Sequence, residues 1–117
     1  MAMTTDPSTA AHQDAYNPLL EGKFEARILS ARTILPLLMD AFGPTSVLDV
    51  GCGHGAWLQV ARELGVNTIQ GVDGPWIDTA ALAIPSEFFM PHVLEEPLEL
   101  HRTFDVVISL EVAEHLP

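Results

Sequence analysis

Three glycines at alternate positions, Gly51, Gly53 and Gly55, constrain the fold of this chain more than any other feature. They follow a nearly continuous apolar run at residues 45–50, and an amphipathic helical pattern begins immediately after them. Glycine permits a tight turn and a close approach of backbone to ligand, which a Cβ atom would obstruct. A helix that starts at such a turn directs its first amides toward the space above the sheet. The stretch therefore predicts a ligand-binding unit of strand, turn and helix.

Helical and strand patterns alternate along the rest of the sequence. Apolar residues recur every three or four positions in the helical segments, whereas the strand segments are short apolar runs. Pro36 interrupts the first helical segment, so we expect a kink there or two helices meeting near Leu35. The predicted helices cover residues 18–42 and 55–64, with a helical turn at 76–82, and the predicted strands cover residues 45–50, 66–72, 88–90 and 104–110. This alternation predicts an α/β fold with a doubly wound, mostly parallel sheet.

The two ends of the chain differ from this pattern. Residues 1–16 are polar and lack any apolar period, so we expect a flexible tail. Only residues 111–117 follow the fourth strand pattern, although a doubly wound sheet normally continues beyond that strand. The fourth strand would then be an unprotected edge. We therefore expect a partial chain that lacks the C-terminal half of its domain and is inactive on its own.

The charge balance restricts the expected partners. The 117 residues include 16 acidic and 5 basic side chains, and the formal net charge is −11. Nucleic acid is not the expected partner, because its binding depends on Lys and Arg replacing counterions. No apolar stretch approaches the roughly 18 residues of a membrane span. The single Cys52 excludes an internal disulfide and is typical of the reducing cytoplasm. The sequence does not indicate an oligomeric state.

Several residues near the turn have a structural explanation that competes with ligand binding. Cys52 is expected to be a small filler, since no base is evident beside it. Trp76 follows the second strand closely, and both packing and stacking on a ligand are open for it. The inner face of the second helix is expected to comprise Trp57, Val60, Ala61 and Leu64, with Gly65 as the C-terminal cap.

Two cofactor classes fit the glycine turn. Gly51, Gly53 and Ala56 match the dinucleotide fingerprint G-x-G-x-x-[G/A], and Asp73 stands about 20 residues further on. An NAD(P)-dependent oxidoreductase is therefore one alternative. Asp49, two residues before the first glycine, would repel a pyrophosphate. Its charge suits a ligand that carries an ammonium group and a sulfonium instead.

Three segments together resemble the class I S-adenosylmethionine-dependent methyltransferases. Residues 47–55 resemble motif I, in which a strand ends in an acidic residue followed by G-x-G-x-G. Residues 71–73, Gly-Val-Asp, are similar to the acidic end of strand two, and residues 104–117 resemble the fourth-strand motif of a bacterial subgroup. The resemblance covers residues 45–117. It implies a Rossmann-like fold with strand order 3-2-1-4, in which residues 17–117 form the N-terminal half of the cofactor-binding domain.

The resemblance also implies a cofactor site for S-adenosyl-L-methionine. Asp49 and the glycines would hold the methionine portion, and Asp73 would hold both ribose hydroxyls. Similar sequences have an Asp at the position of Val93 that holds the adenine amino group, so backbone groups near Val93 are expected to replace it. The implied cofactor-binding residues are Asp49, Gly51, Gly53, Gly55, Asp73, Gly74, Val93, Leu94 and Ser109.

The last residues of the chain carry the candidate catalytic groups Glu111, Glu114 and His115. Related small-RNA and quinone-pathway enzymes use a similar set to hold a divalent metal, which would lower the pKa of an acceptor hydroxyl. A base role for His115 is the second interpretation, and shaping of the pocket edge is the third. The expected activity is methyl transfer to an oxygen or nitrogen of a small molecule. A non-catalytic module that retains the fold is the second alternative to a methyltransferase, beside the oxidoreductase.

Overall fold

The computed structural model describes residues 18–110 and the side chains of residues 22–110; the predicted tail at 1–16 lies outside this range. The described residues run helix, strand, helix and then three strands, and short 3₁₀ turns at Thr79–Ala81 and Ser86–Phe88 occupy the connection between the second and third strands. The helices are α1 (Pro18–Phe42) and α2 (Ala56–Glu63), and the strands are β1 (Ser46–Val50), β2 (Thr68–Asp73), β3 (Phe89–Pro91) and β4 (Val106–Ile108).

The four strands form one parallel sheet in the order β3-β2-β1-β4. This confirms the predicted α/β class and strand order. Asp49 of β1 lies opposite Gly71 of β2 and Ile108 of β4, and Asp73 of β2 lies opposite Pro91 of β3. Because all four strands are parallel, their carboxyl ends meet at one edge of the sheet.

Helix α1 runs through Pro36 as a single element, so the predicted alternative of two helices meeting near Leu35 is wrong. Proline removes one intrahelical hydrogen bond. Burial of the inner face on both sides of Pro36 opposes that loss, since Ile28, Ala31 and Leu35 are buried and Leu38 packs against the same core. No helix among the described residues has the length and apolar character needed to cross a membrane.

Helix α2 packs on the sheet through the face that its sequence predicts, with one exception. Trp57, Val60 and Ala61 are buried, but Leu64 is 38% exposed. The helix ends at Glu63, before Leu64 can return to the inner face. Gly65 has a φ of +97° and ends the helix as predicted. Its N–H donates to the carbonyl of Arg62 at 3.0 Å, which is the pairing of a Schellman motif.

Strand β4 is shorter and more exposed than the apolar run at 104–110 predicts. Its three residues pair with β1, and only Ile108 is buried, whereas Val107 is 59% exposed. The start of the strand is fixed by Asp105, whose Oδ2 accepts bonds from the N–H and hydroxyl of Thr45 at 2.8 and 3.0 Å. The N–H of Asp105 donates in return to Oγ of Ser46 at 2.8 Å.

Candidate functional site

The glycine turn lies at the carboxyl edge of the sheet and is held against the end of β2. The N–H groups of Gly51 and Cys52 both donate to the carbonyl of Val72, at 2.7 and 3.2 Å. Gly51, Gly53 and Gly55 have φ values of +84°, +58° and +93°, in the region that L side chains rarely adopt. The turn conformation therefore requires glycine at all three positions, and Gly55 forms the N-terminal cap of α2.

Asp73 joins the turn to the end of β2. Its Oδ2 accepts a hydrogen bond from the N–H of Gly53, and its Oδ1 accepts one from the N–H of Gly74, both at 2.7 Å. The side chain is half-buried. An ionised carboxylate has about four acceptor positions. Two of them are used by the backbone, so the same carboxylate can still accept bonds from a pair of ligand hydroxyls.

Asp49 lies on β1 immediately below the turn and is 3% exposed. It is the one charged side chain that is buried within residues 22–110. A charge is costly to bury without compensating contacts. The position next to the glycine turn brings this negative group to the same edge of the sheet as Asp73.

Cys52 fills space under the turn, as its sequence context predicts. It is 7% exposed, and a Cβ atom on Gly71 would lie 2.8 Å from its Sγ, so β2 has a glycine where the thiol packs. Burial raises the pKa of this thiol well above its ordinary value, and the negative charges of Asp49 and Asp73 raise it further. The thiol is therefore neutral and a poor nucleophile.

The other predicted cofactor residues follow the ends of β2, β3 and β4. The indole of Trp76 lies directly against Gly74, where it would overlap any Cβ atom. Val93 and Leu94 come just after β3, whose end is fixed to β2 by a 2.8 Å bond from the N–H of His92 to the carbonyl of Asp73. Both are half-buried. Ser109 follows β4 and is exposed.

The structure adds Arg27 of α1, to which the sequence pattern assigned no role. Its Nη1 atom lies 4.0 Å from the position that a Cβ atom on Gly53 would occupy. Arg27 stands beside Ile28 and Ala31 on the buried face of α1, and a charged residue on this apolar face was the available signal. A cation and two carboxylates, Asp49 and Asp73, thus surround the turn.

The candidate catalytic residues Glu111, Glu114 and His115 lie outside the described residues, and so does the metal set that they would form. Within residues 22–110, no three His, Cys, Asp or Glu side chains are grouped as metal ligands. A separate open groove lies at the opposite edge of the sheet, where α1 ends and β1 and β4 begin. It is lined by Leu38, Phe42, Pro44, Asp105 and Val106, far from the glycine turn in the topology.

A parallel sheet with an acidic, glycine-rich turn at its carboxyl edge defines a Rossmann-like domain that binds a small cofactor. A family model described as a methyltransferase domain matches residues 22–117. The chain belongs to this methyltransferase family. The match supports the methyl-donor interpretation of the glycine turn over the dinucleotide alternative.

Individual relatives are also methyltransferases, and each match covers only part of this chain and part of the relative. Ribosomal RNA large subunit methyltransferase E of Caulobacter vibrioides is 41% identical over 56 residues, 46% of this chain and 25% of the relative. Ubiquinone biosynthesis O-methyltransferase of Methylobacterium nodulans is 33% identical over 87 residues, 69% of this chain and 33% of the relative. The chain thus corresponds to a quarter to a third of the length of these relatives.

Among solved structures, the plantazolicin methyltransferase BpumL in complex with SAH is similar in fold. The TM-score is 0.59 at 25% sequence identity, and the match covers 90% of this chain and 42% of that chain. The similarity is one of overall fold. It agrees with the strand order and the family.

Proposed function

We propose that this chain binds S-adenosyl-L-methionine and that the protein transfers its methyl group to an oxygen or nitrogen of a small molecule. The observation that carries the proposal is the pair of hydrogen bonds that the carboxylate of Asp73 accepts from the N–H groups of Gly53 and Gly74. They place a carboxylate with further acceptor positions beside Gly53, which is partly exposed in the glycine turn. Family membership and the SAH complex of the structural relative support the same cofactor.

The described side chains suit the separate parts of this cofactor. Asp49 offers a negative charge for the ammonium group, and Arg27 offers a positive charge for the carboxylate. Asp73 accepts bonds from the ribose hydroxyls, and the indole of Trp76 offers an apolar surface for the base. Val93 and Leu94, with Gly74 and Ser109, complete the proposed rim.

Methyl transfer from a sulfonium depends mainly on the alignment of donor and acceptor. Bound S-adenosyl-L-methionine supplies an electrophilic methyl group whose leaving group departs as a neutral thioether. The residues around the turn hold and orient the donor, and such positioning lowers the barrier by removing the entropy cost of bringing the two reactants together. Proton removal from the acceptor is assigned to Glu111, Glu114 or His115, with a divalent metal as the alternative. Loss of turnover after exhaustive chelation would favour the metal.

The distribution of positive charge favours a small-molecule acceptor. Three of the five basic side chains are engaged by groups of the chain itself. Arg32 pairs with Glu63 at 3.2 Å, Arg62 lies over the ring of Phe88, and Arg102 lies over the ring of Phe104. RNA binding needs basic residues directed at the phosphate backbone. The similarity to a ribosomal RNA methyltransferase makes RNA the competing acceptor.

We also propose that the protein is cytoplasmic, because its single cysteine is a free thiol, which suits a reducing compartment.

Calorimetry and a labelling assay on the full-length protein test the proposal. Binding of S-adenosylhomocysteine without binding of NADH is expected, and the reverse would restore the oxidoreductase alternative. With a donor labelled in the methyl group, label is expected in the small-molecule fraction of a cell extract. Label in the RNA fraction would replace the acceptor class. Cofactor binding with no transfer to either fraction would indicate a non-catalytic module.

A further inference from the structure

The connection between β2 and β3, residues 74–88, packs against the outer side of the glycine turn. The N–H of Ala83 donates to the carbonyl of His54 at 2.8 Å. The next residue, Ile84, is 4% exposed and belongs to the hydrophobic core. A Cβ atom on Gly55 would lie 3.1 Å from Cγ1 and 3.3 Å from Cγ2 of Ile84, which is closer than ordinary van der Waals contact.

Gly53 and Gly55 therefore lack a side chain for different reasons. The space beside Gly55 is filled by Ile84, so the missing Cβ there serves packing within the chain. At Gly53 the nearest atom to a built Cβ is Nη1 of Arg27, at 4.0 Å, and the position is nearly open. Of these two glycines, Gly53 is the one whose backbone has space for a ligand to approach.

We propose that Ile84 is a positioning residue for the cofactor turn, an inference that rests on the proposed function. The turn is held from one side by the carbonyl of Val72 and the carboxylate of Asp73. It is held from the other side by Ile84 on Gly55. Gly55 caps α2, so the contact with Ile84 also sets the direction of the first free amides of that helix.

The experiment compares four variants of the full-length protein: Ile84→Ala, Ile84→Val, Gly55→Ala and the double variant Gly55→Ala with Ile84→Ala. S-adenosylhomocysteine affinity is measured by calorimetry well below each melting temperature. Ile84→Ala is expected to raise Kd about fivefold, whereas Ile84→Val, which keeps both γ carbons, should change it less than about twofold. Gly55→Ala should weaken binding through its positive φ and its clash. The Kd of the double variant should be lower than the product of the two single increases predicts, because Ile84→Ala removes the side chain with which the new Cβ atom clashes.

Ile69→Ala is the matched control, because Ile69 is a buried isoleucine of β2 that pairs with Val47 and does not touch the turn in the described contacts. It should lower the melting temperature while leaving Kd of the folded protein unchanged. Hydrogen exchange of the amides at Gly53 and Gly55, measured without ligand, should be faster in Ile84→Ala than in the parent. In Ile69→Ala it should match the parent.

Unchanged Kd and unchanged exchange in Ile84→Ala, or strictly multiplicative effects of Gly55→Ala and Ile84→Ala, would show that Ile84 only stabilises the fold. A parent protein that fails to bind S-adenosylhomocysteine would overturn the proposed function. The ligand-free exchange measurement would still decide whether Ile84 positions the turn.

Discussion

Oδ2 of Asp73 accepts a 2.7 Å hydrogen bond from the backbone N–H of Gly53, which links the end of β2 to the glycine turn that follows β1. The carboxylate thus has two tasks in the proposed site. It fixes the conformation of the turn, and it keeps acceptor positions for ligand hydroxyls. Residues that are 20 positions apart in the chain therefore act as one unit.

Substitution of Asp73 by Asn tests this dual task. The amide has one acceptor oxygen instead of two and would direct an N–H group at a backbone donor. Hydrogen bonds to charged groups contribute ~1.5–3 kcal/mol, so Kd for S-adenosylhomocysteine should rise about tenfold or more, with a lower melting temperature. Asp78→Asn is the control, because Asp78 caps a short 3₁₀ turn by accepting from Ala80, and Asn caps equally well. Equal affinities of parent and Asp73→Asn would contradict the assignment.

The two tryptophans give a spectroscopic test of the rim. Trp57 is buried in the core, whereas Trp76 is half-buried beside Gly74. In Trp57→Phe, the fluorescence of Trp76 should change on addition of S-adenosylhomocysteine, since the adenine ring of the ligand would lie against the indole and alter its environment. In Trp76→Phe, the remaining Trp57 signal should hardly respond. A response confined to Trp57 would show that the adenine ring does not bind beside Trp76.

Asp105 predicts a defined dependence of stability on pH. The N–H and hydroxyl of Thr45 both donate to this carboxylate, and these bonds, with a smaller contribution from the N–H of Ser46, lower the pKa of Asp105 below its ordinary value of 3.8. A lowered pKa in the folded state gives stability that is present above the ordinary value and is lost as pH falls through the folded value. In urea titrations, Asp105→Asn should unfold earlier than the parent at neutral pH.

The difference between the parent and Asp105→Asn should then close as the pH is lowered below 3.8. Glu95→Gln, which removes an exposed carboxylate in the turn after β3, is the control and should unfold with the parent at neutral pH. A difference that persists unchanged into acid would mean that the charge of Asp105 does not contribute.

Cys52 should be inert in the folded protein. Burial and the charges of Asp49 and Asp73 raise its pKa, so the thiolate that reacts with iodoacetamide is absent at pH 8. Mass spectrometry should show no alkylation of the native protein and one adduct in urea, because the chain has a single cysteine. Rapid alkylation without urea would show that the turn opens readily.

The parallel sheet followed from the sequence because buried parallel strands are nearly continuous apolar runs, such as the one that contains Val47 and Leu48. The order of the strands followed from the resemblance to class I methyltransferases. The placement of Asp49 and Asp73 at one edge followed from the same reasoning. Residues at the carboxyl ends of neighbouring parallel strands are brought together whatever the details of packing.

The remaining features depend on contacts between distant segments. Local propensity places a break at Pro36, but packing of α1 on the core outweighs one lost hydrogen bond. The exposure of Leu64 follows from the exact end of α2, which a periodic pattern defines poorly. The approach of Ile84 to Gly55 arises from the β2–β3 connection, and nothing local in the sequence indicates it.

In the proposed site Asp49 binds the amino-acid end of the cofactor and Asp73 binds its ribose end, and truncated ligands distinguish these two roles. S-adenosylhomocysteine carries both ends, whereas 5′-methylthioadenosine keeps the ribose and base and lacks the amino acid. By calorimetry, Asp49→Asn should weaken binding of S-adenosylhomocysteine about tenfold and leave 5′-methylthioadenosine unchanged, while Asp73→Asn should weaken both. Equal effects of Asp49→Asn on the two ligands, or no effect on either, would contradict these roles.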